Sequence, residues 1–390
     1  MKHSPSRALA AAGIVLAGVV FLIALFELSL PPQGAATRDF IGYWAAGQQI
    51  VHGANPYSAG EVLRLEKAVG LGSLQIKITP SPPVGLALVL PLGFLSAKNG
   101  LVFWLVAQVA CLSAALGVVW LLAGKPASRL HLLGYLFAPA IACLMAGQLG
   151  IFFLLGASLF FLWHEERPLF AGMALLPMTL KPHLFLPIAL VLLLWVAWRR
   201  KPQILIGLLA AMAASYALVL TFDPRAWAQF LSMLHSGLVG DRFAPTLSAY
   251  FRLDVAPAAV WLEYLPTELA CLWAVAFFWT RRHRWTWTDH GQLILLVSLM
   301  CAPYAWITDE AVLLPAVFLG VYRARENCRS LLPIALFASA ALVEIYADVR
   351  ITSWYYTWTT PAWLGWYLYA MRRPRADEDI SMVGADSPRK

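Results

Sequence analysis

The sequence predicts an all-α polytopic membrane protein, and three observations carry that reading. Of 390 residues, 60% are hydrophobic and only 13% charged, with a mean hydropathy of +0.68. Apolar runs recur along the whole chain, and a helical crossing takes roughly 20 such residues. The basic residues sit in short clusters between those runs, where membrane topology explains the net charge of +8 better than nucleic-acid binding does. Alternating strand patterns with turn signals are missing, which argues against an outer-membrane barrel. The seventeen tryptophans suit membrane interfaces.

Taken in order, the apolar runs lie at 8–30, 101–123, 130–146, 149–163, 168–180, 183–198, 203–221, 257–280, 290–306, 309–322, 331–347 and 353–371. With the N-terminus inside, these make twelve crossings and return the C-terminus to the inside. The clusters Lys125/Arg129, Arg199/Arg200/Lys201, Arg281/Arg282/Arg284, Arg323/Arg325/Arg329 and Arg372/Arg373/Arg375 then all face the cytoplasm, as the positive-inside rule requires. A signal peptide cut near Ala35 and Ala36 is the alternative for the first run, whose apolar stretch is long for one. Residues 82–96 carry Pro82, Pro83 and Pro91 and are short for a span. A crossing there would turn every later basic cluster outward, so the segment is expected to be re-entrant or to lie on the outer surface. The domain reading is a single transmembrane unit over 1–371, with a first extracytoplasmic loop at 31–100 and a second outer loop at 222–256. A polar cytoplasmic tail follows at 372–390 and is expected to be disordered.

This topology gathers the polar residues that interrupt apolar sequence on the outer side. Asp39 and Tyr43 are four apart and share a helix face at the exit of the first run. The carboxylate either marks the water boundary or takes a proton from an acceptor hydroxyl. Lys181-Pro182-His183 breaks an otherwise apolar stretch; the two side chains either snorkel from a short loop or offer cations to a phosphate. Gln148, in MAGQLG, serves an interhelical hydrogen bond or a ligand contact. Tyr304, Trp306, Asp309 and Glu310 form either an interfacial belt with solvated acids or a sugar site, where rings cover apolar faces and carboxylates accept from hydroxyls. The five cysteines read as packing residues with no C-x-x-C spacing, and no metal-ligand spacing appears. P-loop, Rossmann and G-x-S-x-G patterns are absent.

The order RDF-x-x-Y-x-A, G-x-N-P-Y, PSPP, GQ-x-G, LKPH and APYAWITDE-x-x-LLP, from Asp39 to Pro315, resembles the polyprenyl-phosphate-sugar-dependent glycosyltransferases of family 87. These are GT-C-fold membrane enzymes that include α-mannosyltransferases. The resemblance implies a GT-C-type fold with about 12 transmembrane helices and outer juxtamembrane helices in the first extracytoplasmic loop. It also implies transfer of a hexose or pentose, with mannose the family's suggestion, from a polyprenyl-phosphate sugar to a lipid or glycan acceptor. The site would face the periplasmic or extracellular side of the plasma (inner) membrane. By position, Asp39 is the general base, and Lys181, His183 and Gln148 lie at the donor phosphate. Tyr43, Asn55, Tyr57, Tyr304, Trp306 and Asp309 would shape the sugar and acceptor pockets. No cofactor is required and no nucleic acid is involved; some GT-C enzymes use a divalent metal, but nothing in the residues demands one. Relatives carry an aromatic-Asp-Tyr-Asp run where this chain has Trp306-Ile307-Thr308-Asp309, so only the final acid is kept. Two alternatives share the lipid-linked substrate: a flippase with broken helices, and an O-antigen-ligase-like enzyme using Arg225, His235, Arg242 and Arg252 of the second outer loop.

Overall fold

Proline placement shapes the helices. Seven of the described α-helices have proline in the first two positions, among them those starting with or just before Pro83, Pro139, Pro187, Pro266 and Pro315. There the missing N–H costs nothing, because the first-turn donors have no acceptor within the helix. The computed structural model describes residues 38–71, 80–236, 245–255, 258–347 and 354–372, and is helical with no strand among them.

The described helices are α1 (Phe40–Val51), α2 (Ala59–Ala68), α3 (Pro83–Val89), α4 (Ala97–Leu122), α5 (Ala138–Ala146), α6 (Gly150–Trp163), α7 (Pro168–Ala174) and α8 (Leu186–Arg199). They continue as α9 (Gln203–Leu220), α10 (Ala226–His235), α11 (Leu247–Tyr250), α12 (Leu265–Arg281), α13 (Gln292–Met300), α14 (Leu314–Glu326), α15 (Leu332–Tyr346) and α16 (Thr359–Met371). Each apolar run from 101–123 onward falls on one or more helical elements, while the first, 8–30, lies outside the described residues. Several runs that read as continuous are divided. The 130–146 run is a 3-10 segment, Leu130–Leu136, followed by α5, and the 309–322 run opens with 3-10 turns at Asp309–Leu313 before α14.

Among the described residues, only α4 and α9 are long and apolar enough to cross a membrane by themselves, so helix length does not establish twelve crossings. Their neighbours nevertheless turn apolar side chains outward. Leu209 of α9, Leu272 of α12 and Val343 of α15 are 63%, 69% and 67% exposed. Such outward apolar faces suit hydrocarbon rather than water. The 82–96 segment forms α3 and a 3-10 turn, Leu90–Phe94. At 1.5 Å per residue, a dozen helical residues reach roughly 18 Å, short of a core about 30 Å thick.

The basic loops make two sets of contacts. Arg129 lies over Trp120, and the Tyr322 hydroxyl is 2.8 Å from His131 Nδ1. Arg282 stacks on Trp198, and Arg199 and Lys201 pair with Glu165. Arg329 donates to the carbonyls of Tyr369 and Arg372. Asp39, Gln148, Lys181 and Asp309 are absent from both sets and are joined in a different one.

Candidate functional site

The 147–150 turn is the hub. Gly147 ends α5 in the left-handed region, at φ 70°, and an added Cβ would stand 2.6 Å from Phe40 Cβ. Three residues on, a Cβ at Gly150 would collide with the Thr308 carbonyl oxygen. The two glycines of GQ-x-G therefore admit α1 on one side and the 304–313 segment on the other. Gln148 sits between them. The turn is also held from α4, where Trp104 Nε1 donates to the Gly147 carbonyl at 2.8 Å and Gln108 donates to the carbonyl of Gln148.

On the α1 side, Gln148 Nε2 donates to Asp39 Oδ2 at 2.8 Å, and the Tyr43 hydroxyl donates to Gln148 Oε1 at 2.8 Å. Tyr43 stacks on Trp104, with centroids 5.6 Å apart and planes at 25°. Burial first, then the carboxylates of Asp39 and Asp309, push the Tyr43 phenol well above its ordinary value, so it stays protonated and donates.

On the other side, Lys181 Nζ meets Asp309 Oδ1 at 2.7 Å, and Asp309 Oδ2 accepts the Trp306 backbone N–H at 3.1 Å. Burial opposes the charged form of Lys181. The charge and hydrogen bond of Asp309, with Tyr304 and Cys143 nearby, together outweigh it, and the ammonium is held above its ordinary range. His183 packs edge-on to Tyr304 at 5.7 Å, and Tyr304 to Trp306 at 5.2 Å, with the Trp306 indole donating to the Tyr304 hydroxyl. Since Asp39 and Asp309 both act on Tyr43, the two halves are one electrostatic neighbourhood.

Asn55 and Tyr57 stand apart from that neighbourhood. Asn55 Oδ1 accepts the Tyr57 N–H at 2.9 Å in a local turn. The Tyr57 hydroxyl donates to the Ser81 carbonyl at 2.8 Å, and its ring packs on Phe230. Its link to the site is indirect, because Ser81 joins Tyr43, Leu86, Leu149 and Leu180 in lining a small cavity of about 10 Å³. Gln148, which the family resemblance puts at the donor phosphate, bonds to Asp39 and Tyr43 through its amide. Of the outer-loop candidates, Arg252 pairs with Glu263 at 2.6 Å, and Arg225 lies 3.7 Å from Asp223; Arg242 lies outside the described residues.

Glu310 turns away from the site. It is buried and accepts from Thr359 at 2.7 Å, Thr360 at 3.0 Å and the Trp363 indole at 2.9 Å, tying the segment after Asp309 to α16. Trp104 and Gln108 were not singled out from the sequence. Gln108 is a polar residue within an apolar helix, and that was their one available signal. Among the described residues, no cluster of three or more His, Cys, Asp or Glu side chains is placed to hold a metal ion.

No curated protein and no solved structure matches the chain. The family model for glycosyltransferase family 87 matches residues 81–303, more than half of the chain. Gln148, Lys181 and His183 fall within the matched stretch and Asp39 and Asp309 outside it, yet each of the two carboxylates is bonded to a residue inside it.

Proposed function

The chain belongs to glycosyltransferase family 87, and on that premise we propose that it moves a hexose or pentose from a polyprenyl-phosphate sugar to a lipid or glycan acceptor. That it is a glycosyltransferase, taking a donor and an acceptor, follows from the family. The donor class, mannose as the first sugar to try, the acceptor and the mechanism are our reading. The observation that supports it most is the joining of Asp39, Tyr43, Gln148, Lys181 and Asp309 in one neighbourhood away from the basic loops.

In this reading the acceptor hydroxyl gives its proton to Asp39 while its oxygen attacks the anomeric carbon. The bond from that carbon to the phosphate oxygen breaks on the opposite face, so the configuration inverts, and the electron pair leaves with the lipid phosphate. The Lys181 ammonium, with His183 beside it, offsets the charge arriving there, in a site where burial strengthens the interaction. Asp309 positions Lys181, and Tyr304 and Trp306 offer ring faces to a sugar. Neither a nucleotide nor a metal enters any step.

The family is membrane-associated, and α4 and α9 have the length and hydropathy of spans. We place the site at the extracytoplasmic face of the plasma (inner) membrane, with the basic loops inside, 82–96 outside and a GT-C-type arrangement of about 12 crossings. The test is transfer by membranes containing the protein, supplied with radiolabelled polyprenyl-phosphate monosaccharides or with nucleotide sugars. Label passing to an acceptor from the lipid-linked donors alone supports the reading. Transfer from nucleotide sugars in membranes depleted of polyprenyl phosphate overturns the donor class, and donor moved between leaflets without transfer supports a flippase.

A further inference from the structure

We propose that Gln148 is a positioning residue that holds the Asp39 carboxylate in its reactive orientation, rather than a ligand of the donor phosphate; the inference rests on reading Asp39 as the base. Asp39 and Tyr43 lie one turn apart, and the Gln148 amide spans both, donating at 2.8 Å to the first and accepting at 2.8 Å from the second. The direction of the amide is forced. Tyr43 is a protonated donor, so it takes the carbonyl oxygen, and a reversed amide would set that oxygen against a carboxylate that can only accept.

The amide is itself anchored. The Gln148 carbonyl accepts from Gln108 and from the Cys143 thiol at 3.1 Å, and Trp104 holds Gly147 while its ring supports Tyr43. Gln108 and Trp104 are one turn apart on α4, the longest helix described. Asp39 stands at the N-cap of α1. Through Gln148 its carboxylate is tied to α4. Small displacements of a catalytic group cost large factors in rate, which is why such a group needs support from a rigid element.

The test is a double-mutant cycle on transfer from a radiolabelled polyprenyl-phosphate sugar, using wild type, Gln148→Met, Asp39→Asn and the double variant. Methionine keeps the length of glutamine and removes both hydrogen bonds. We expect Gln148→Met to lower kcat about 10- to 100-fold with donor KM within about twofold, and Asp39→Asn to lower it about 10²- to 10⁴-fold. The double variant should be no slower than Asp39→Asn, because nothing remains to be positioned. Tyr43→Phe, which keeps the ring on Trp104 and frees Gln148 Oε1, should lower kcat about threefold to tenfold; it decides the matter if Gln148→Met does not fold. A rise in donor KM at unchanged kcat, or a full additional loss in the double variant, overturns the inference and leaves the base reading intact. Wild-type transfer by Asp39→Asn overturns the base reading itself, and the inference with it.

Discussion

Removing either member of the Lys181–Asp309 pair should destabilise the protein, and removing both should restore stability without restoring transfer. Asp309 has no exposed side-chain surface, Lys181 has 14%, and the two meet at 2.7 Å. Lys181→Met leaves a buried carboxylate with only the Trp306 N–H for compensation. Stranding one charge of a buried pair costs about 3–5 kcal/mol, whereas replacing both with apolar groups of similar volume is close to neutral. At roughly 2 °C per kcal/mol for a chain this large, each single variant should melt on the order of 5–10 °C below wild type. Lys181→Met/Asp309→Leu should return to within about 2 °C of wild type. Transfer by the double variant should stay at least about 100-fold down, because the ammonium proposed to meet the phosphate is gone. Unfolding of detergent-solubilised protein, followed by tryptophan fluorescence, gives the first quantity and radiolabel transfer the second. Single variants as stable as wild type would refute the buried pair, and a double variant with wild-type transfer would refute the role of Lys181.

Other predictions follow from the same contacts. Glu310→Ala strands the Thr360 hydroxyl and the Trp363 indole N–H at the start of α16, while Thr359 keeps the Tyr356 carbonyl, a loss of about 2 kcal/mol or more that should appear as a lower melting temperature. An unchanged melting temperature would show that the carboxylate does not hold α16. Gly150→Ala drives a methyl group into the Thr308 carbonyl and should lower transfer at least about tenfold with about 1–3 kcal/mol of destabilisation, whereas Gly365→Ala, which meets open space, should do neither. Equal behaviour of the two alanine variants would remove the close approach of α6 to the 304–313 segment.

Much of the site was legible because polar groups are rare in so apolar a chain. Gln148, Lys181 and Asp309 each interrupt a hydrophobic stretch and Asp39 stands at the end of one, and a polar group so placed carries a cost that invites explanation. Their pairing was not legible. Lys181 and Asp309 are 128 residues apart and Asp39 and Gln148 are 109 apart, so no local pattern joins them. The hydroxyl of Tyr57 donates to the Ser81 carbonyl, a contact only the tertiary structure reveals. In the fold, the helical class followed from composition, but runs such as 130–146 and 309–322 read as single spans because hydropathy does not register 3-10 turns. Gly147 and Gly150 were visible as motif letters, while what they make room for, Phe40 and the Thr308 carbonyl, lies elsewhere in the chain.

The most direct test of the central claim compares wild type with Asp39→Asn at matched expression, measuring release of polyprenyl phosphate together with the glycosylated product. The account predicts that wild type forms the two in equal amounts and that Asp39→Asn loses both by about 10²- to 10⁴-fold while still binding the donor. Undiminished product formation by Asp39→Asn would contradict it.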